Sequence, residues 1–497
     1  MTLHSVARHL LDAMPEDEDD KERPFSTFLD DPPTPSTSEG DVFSVHEAIE
    51  AAGFGKFQII LSVITGFAWM ADSMEIMLLT LITPSLVCEW KISALEQALC
   101  TTFVFVGWTI SAPLWGWFCD RYGRKKGLFL ASLMGALFGV ATSFAPSYAW
   151  FVSLRALVGF AVGGVSQCTT YYTEFLPNKA RAKCVIMLEV FWAVGSALES
   201  VLGLLVVDSI GWRYLVGFSA IPLLLFAALC WWTPESPRFH ATRGNVNEAT
   251  KILDRIARMN GKKLPNGTMI PDKVTEENRG SFRGLFSKQM RMTTVFVWTI
   301  WFMVTFAYYG LSLFTTKLFQ EGDICHGGLN NGTVVVDPTA CKPMTHADYI
   351  DLMATSFAEL PGLLITVLII EWMGRKKAMA AEFAIFGVAI LSLYICMSRT
   401  VMVAIIFVAR AFVSGGYQAA YVYTPEVYPT TLRASGMGTA SAVGRIAAML
   451  TPLMAQIVSN YVLMLPVAVY GISGLLGAVA SLLLPIETAG RELKDVY

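Results

Sequence analysis

The chain is 497 residues long, 54% apolar and only 15% charged, with a formal net charge of −3. A water-soluble domain carries about 25% charged residues, so this composition excludes an ordinary soluble enzyme. A balance near zero without a basic stripe excludes nucleic acid as a partner, which leaves a protein of the lipid bilayer.

Residues 1–56 come first and are expected to form a disordered acidic cytosolic tail and a short pre-helix. Glu16 to Asp20 are acidic, Pro32, Pro33 and Pro35 follow, and no apolar stretch reads as a cleavable signal. Twelve apolar runs then recur, each near the 20 or so helical residues that cross about 30 Å of hydrocarbon. They fall at 57–82, 95–118, 127–145, 149–173, 184–207, 212–233, 292–316, 348–370, 378–397, 401–424, 434–457 and 462–484. The predicted organisation is an all-α membrane protein: a six-helix half over 57–233, a joint over 234–291, a second six-helix half over 292–484 and a tail over 485–497.

Basic residues set the direction. Arg121, Arg124, Lys125 and Lys126, then Lys179, Arg181 and Lys183, then Arg375, Lys376 and Lys377 follow even-numbered spans, and the joint 234–291 adds more. The opposite face holds only Lys91, Arg213, Lys317, Lys342 and Arg399. Since positive residues stay inside, both termini are expected in the cytosol.

The joint 317–347 is the one sizeable outer loop. It carries the acceptor triplet Asn331-Gly332-Thr333, expected to be glycosylated, whereas Asn266-Gly267-Thr268 lies on the cytosolic side and should stay bare. Cys325 and Cys341 face an oxidising compartment there and are expected to bridge, with Cys88 at the outer end of span 1 as a competing partner.

The halves repeat each other at an offset close to 252 residues. Tyr171-x-x-Glu174-x-x-Pro177-x-x-x-Arg181 returns as Tyr423-x-x-Glu426-x-x-Pro429-x-x-x-Arg433. Gly123-Arg124-Lys125-Lys126 returns as Gly374-Arg375-Lys376-Lys377, and Pro234-Glu235-Ser236 as Pro485-x-Glu487-Thr488. Gly116-x-x-x-Asp120-Arg121-x-Gly123-Arg124-Lys125 resembles the loop 2–3 signature of the major facilitator superfamily. The Glu174/Arg181, Pro234-Glu235-Ser236-Pro237-Arg238 and Pro485-Ile486-Glu487-Thr488 sets resemble its sugar-porter-like branch. Gly53-Phe54-Gly55-Lys56-Phe57 and the run from Tyr421 to Pro429 are similar to the synaptic vesicle 2-related family within it, over all spans from about residue 42 onward. The resemblance implies a major facilitator fold of twelve helices in two pseudo-symmetric halves, and a synaptic or secretory vesicle membrane, with the plasma membrane as the alternative. It also implies a nucleotide as a further ligand.

Asp120, Arg121, Arg124, Glu174, Arg181, Glu235, Arg375, Glu426, Arg433 and Glu487 are therefore read as a cytosolic gate. Their ion pairs close the inward mouth or fix helix packing within a half, against the plainer reading of positive-inside topology.

Charges at membrane depth need a partner or a wet cavity, because burying one costs at least roughly 2.5–3.5 kcal/mol. Asp72 and Glu75 in span 1 are three apart and share a helical face. Either can pair with Arg155 of span 4 at a similar depth, as a proton-coupling site or as a static pair. Arg445 lies about 18 Å into span 11. It can clamp a carboxylate substrate with two parallel bonds, or pair with Glu359 of span 8. Arg410 is expected to brace packing, Glu189 and Glu199 have no assigned role, and Glu382 is expected in solvent near the cytosolic edge. Trp69, Trp192, Tyr308, Tyr309, Tyr417, Tyr421 and Tyr423 are candidate lining of the path, with interfacial belt or packing as the plain alternative.

No phosphate-binding loop, nucleophile elbow or metal motif occurs, so the reading is neither pump nor enzyme, with no cofactor and no metal. The expected function is proton-coupled secondary transport of a small organic ion, an anion first, by a monomer. An organic-cation carrier and a vesicle protein that kept the fold for binding alone are the alternatives.

Overall fold

Apolar runs satisfy their backbone in lipid as helices or closed barrels, and those described in this chain are helical. The structure is a computed structural model and describes residues 42–270, 282–321, 341–395 and 397–489. It divides into two units. Of the smaller, Met1–Phe43 with Asn266–Thr268, the described residues are extended or bent backbone. The larger, Ser44–Pro265 with Met269–Tyr497, holds the helices found among the described residues.

The first half comprises span 1 (Lys56–Trp90), span 2 (Ala94–Tyr122), span 3 (Arg124–Ser143), span 4 (Tyr148–Thr173), span 5 (Asn178–Ile210) and span 6 (Trp212–Cys230). The second comprises span 7 (Arg291–Glu321), span 8 (His346–Met373), span 9 (Arg375–Ser392), span 10 (Arg399–Val427), span 11 (Thr430–Tyr461) and span 12 (Leu465–Leu483). Eleven of these helices are long and apolar enough to cross a membrane. Span 9 is the other, because Arg375, Lys376, Lys377 and Glu382 dilute its 18 residues.

Caps place the ends. Ser93 and Glu96 form a capping box at the start of span 2, and Thr345 and Asp348 form one at span 8. Span 1 runs to Trp90 through Pro84 and stops at Lys91, whose left-handed φ of 51° lets its N–H return to Val87. Span 8 is jointed at Phe357 and Ala358, and span 11 passes into a π-turn at Leu453–Val458.

The joint between the halves contains the amphipathic helix Val246–Met259, which buries Ala249, Leu253, Ile256 and Ala257. Asn260 at its end fastens the entry to span 1, donating to Ala52 O, Gly53 O and Gln58 Oε1 and accepting from Phe57 N. On the face opposite the basic loops, two of the few arginines are neutralised: Arg213 by Glu89 at 2.6 Å, and Arg399 by Asp348 and Asp351, each at 2.6 Å.

Candidate functional site

Asp72 and Glu75 do share a face of span 1, but only one of them meets the arginine. Arg155 Nη1 donates to Glu75 Oε1 at 2.7 Å and its Nε to Thr142 Oγ1 at 3.3 Å, with Arg155 wholly buried. Asp72 is also buried, and its Oδ1 has no hydrogen-bond partner among the described residues. Glu199 of span 5 accepts from Ser219 at 2.7 Å and lies in electrostatic range of Glu75 and Arg155. Glu75 and Glu199 thus lie around one guanidinium, and Asp72 lies beside Glu75.

The second half corrects one expectation. Glu359 does not pair with Arg445; its Oε1 receives Arg410 Nε at 3.0 Å and Tyr308 Oη at 3.0 Å. The joint in span 8 just before Glu359 sets the carboxylate toward span 10, so the expected packing role of Arg410 becomes a buried ion pair. Ser196 of span 5 joins the same knot, accepting from Arg410 Nη2 at 3.0 Å. Trp192 Nε1 to Tyr308 Oη at 2.7 Å, Gln418 Nε2 to Glu189 Oε2 at 2.8 Å and Ser200 to Ser356 at 2.8 Å continue a polar seam between the halves. Glu382 is likewise corrected. It is fully buried and accepts from Thr366 Oγ1 at 2.6 Å, because span 9 begins seven residues earlier, at Arg375, and carries it inward.

The candidate aromatics come together beside that seam. Trp69 meets Trp192 edge-on at 5.7 Å, Tyr308 stacks on Tyr417 at 5.8 Å and touches Tyr309 at 5.3 Å, and Tyr417 meets Tyr421 at 5.2 Å. Tyr423 leaves the group: its hydroxyl donates to Ile486 O on the basic face. Two members were not singled out from sequence. Trp301 packs on Tyr421 at 4.6 Å, and its spacing of seven before Tyr308 is the signal for a shared helical face. Trp108 of span 2 lies under the Arg445 guanidinium at 5.5 Å. The electrostatic neighbours of Arg445 are Tyr309, Tyr417 and Tyr421, and no carboxylate pairs with it among the described residues.

The basic face carries two copies of one device. Arg124 Nε meets Glu174 at 3.2 Å and Arg375 Nε meets Glu426 at 3.1 Å. Glu235 accepts the backbone N–H of Lys125, and Glu487 those of Arg375 and Lys376. Tyr171 closes on Pro234 O at 2.5 Å and Tyr423 on Ile486 O at 2.7 Å. Arg181 and Arg433 donate to the backbone carbonyls of Leu176 and Pro425. Glycine is required at both pivots: Gly123 has φ 113° and Gly374 φ 80°, and a Cβ at Gly123 would stand 2.3 Å from Glu235. Asp120 adds a contact to Arg124 at 2.8 Å, whereas Arg121 lies over Trp117 and accepts from Arg243 through its carbonyl. Burial pushes the Glu174 carboxyl above its usual range, against the opposing pull of Arg124. These ion pairs run within one half, so they can fasten its helices into a rigid body.

The expected Cys325–Cys341 bridge is not formed. Cys341 is bonded to Cys88, the competing partner, because span 1 extends to Trp90 and brings Cys88 to its last turn. Cys325 and the glycosylation triplet at Asn331 lie outside the described residues.

The profile of the sugar (and other) transporter family matches residues 49–336. The chain is 49% identical to synaptic vesicle 2-related protein of Bos taurus, over 92% of this chain and 83% of that one. It is equally similar to the Xenopus laevis protein of the same name, at 49% over the same shares. In fold it is similar to the xylose transporter XylE of E. coli in a partially occluded inward-open conformation, with a TM-score of 0.69 at 18% identity, covering 88% of this chain and all of that one.

Proposed function

We propose that this chain, which belongs to the sugar (and other) transporter family of the major facilitator superfamily, carries a small organic anion across a vesicle membrane in exchange with, or together with, protons. That it is a multi-pass membrane transporter follows from the family; the ion, the coupling and the membrane are the proposal. The observation that carries it is Arg445, a guanidinium among three tyrosines and a tryptophan with no carboxylate paired to it among the described residues. A planar fork left open in an aromatic setting suits a carboxylate.

Glu75 with Arg155 supplies the proton site in this reading. A carboxylate buried against an arginine keeps its charge while the pair is closed and accepts a proton when the arginine withdraws. The mirrored basic-face clusters hold each half rigid while the halves rock about the seam. The names of these relatives support a vesicle membrane. Purified protein in liposomes, given a panel of labelled organic anions with and without a pH difference, tests the proposal. Accumulation that collapses on addition of a protonophore supports it. Uptake indifferent to the gradient, or restricted to organic cations, contradicts it.

A further inference from the structure

We infer that the transported carboxylate also carries a cationic group and so is a zwitterion, with Asp72 of span 1 receiving the cationic group and Arg445 of span 11 the carboxylate. The inference rests on the reading of Arg445 as an anion clamp and adds the second charge of the substrate. Asp72 is 3% exposed, and its Oδ1 has no hydrogen-bond partner among the described residues. Its neighbour Glu75 is committed to Arg155, so the charged group beside Asp72 is another carboxylate. An unpaired carboxylate in the bilayer interior is costly, and a cation beside it in one working state removes that cost.

The two charges are complementary. Tyr309 of span 7 lies in electrostatic range of both Asp72 and Arg445, which come from opposite halves. Trp69 precedes Asp72 by three residues on the same helical face, and Trp108 lies under Arg445. The indole N–H of each is buried without a partner among the described residues. An ammonium at Asp72 therefore has the Trp69 indole on the same helical face as well as a carboxylate, a combination that attracts organic cations. A ligand held by span 1 and span 11 together touches both halves. Its contacts change when the halves separate, as a driver of alternating access requires. A bare proton on Asp72 is the competing account, since it satisfies the carboxyl without any substrate.

Full-length protein in detergent is titrated with three probe sets: tryptophan, tryptamine and indolepropionate; aminooctanoate, octylamine and octanoate; aminomethylbenzoate, benzylamine and benzoate. Affinity is read from ligand-dependent thermal stabilisation. At least one zwitterion should bind about tenfold more tightly than both of its single-charge counterparts. Asp72→Asn should abolish its advantage over the acid, and Arg445→Gln its advantage over the amine. Asp72→Glu should retain part of the preference, and it serves as the folded comparison where Asp72→Asn lowers yield. An acid that binds the parent as tightly as its zwitterion, or a zwitterion preference that survives Asp72→Asn, overturns the inference. Loss of acid binding in Arg445→Gln under those outcomes leaves the anion clamp standing, which separates the two failures.

Discussion

Arg410 Nε stands 3.0 Å from Glu359 Oε1, and Arg410 Nη2 reaches across to Ser196 of the other half at 3.0 Å. Both charged residues are buried, with 2% and 1% of their surface exposed. Removing either leaves the other buried and uncompensated, a loss of about 3–5 kcal/mol. Arg410→Met and Glu359→Gln should each lower the melting temperature and the monodisperse yield, and the double variant should recover most of the loss. Strictly additive losses would show that the two side chains do not act as a pair.

The disulfide joins the halves, since Cys88 ends span 1 and Cys341 precedes span 8. With a protease site inserted in 234–291, the cleaved fragments should stay together on a non-reducing gel and part on reduction. Cys88→Ser and Cys341→Ser should abolish the linkage, and Cys325→Ser should leave it. Separation of unreduced fragments in the parent, or in Cys325→Ser alone, would refute the pairing.

Gly123 and Gly374 are the paired pivots of the basic face. Alanine at Gly123 must adopt φ 113° and stands 2.3 Å from Glu235, whereas at Gly374 the approach to Glu487 is 3.0 Å. Gly123→Ala should therefore destabilise more than Gly374→Ala, each by roughly 1–3 kcal/mol. Gly116→Ala, in a helix with nothing within 4 Å, is the control and should be neutral or stabilising. Equal melting temperatures for all three would remove the strained turn from the account.

Arg445→Lys keeps the charge and loses the fork. Carboxylate affinity should fall about tenfold, or about 1.4 kcal/mol, and Arg445→Ala should cost more. Parent-like binding by both variants in a ligand titration would exclude the clamp.

Much of this architecture is legible in the sequence, because hydrocarbon demands apolar helices of fixed length and the repeat marks the basic-face clusters residue by residue. The tertiary partners are less so. Reading depth by counting residues assumes straight helices, and the joint of span 8 before Glu359 breaks that assumption, which hid its pairing with Arg410. Cys88 reads as the lesser partner because the apolar run of span 1 ends near 82, whereas the helix continues to Trp90. Glu382 followed three basic residues and read as wet, although two helical turns from Arg375 carry it beneath Thr366. That Arg155 chooses Glu75 over Asp72 is a matter of side-chain geometry, which a spacing of three cannot decide.

The central claim is that Glu75, paired with Arg155 at 2.7 Å, carries the coupled proton. The direct measurement compares gradient-driven accumulation with substrate exchange in liposomes containing Glu75→Gln, whose amide mimics a permanently protonated carboxyl. The account predicts that, per folded molecule, accumulation is abolished while exchange, which needs no net proton movement, persists. Full proton-driven accumulation by Glu75→Gln, or a parallel loss of accumulation and exchange per folded molecule, would contradict it.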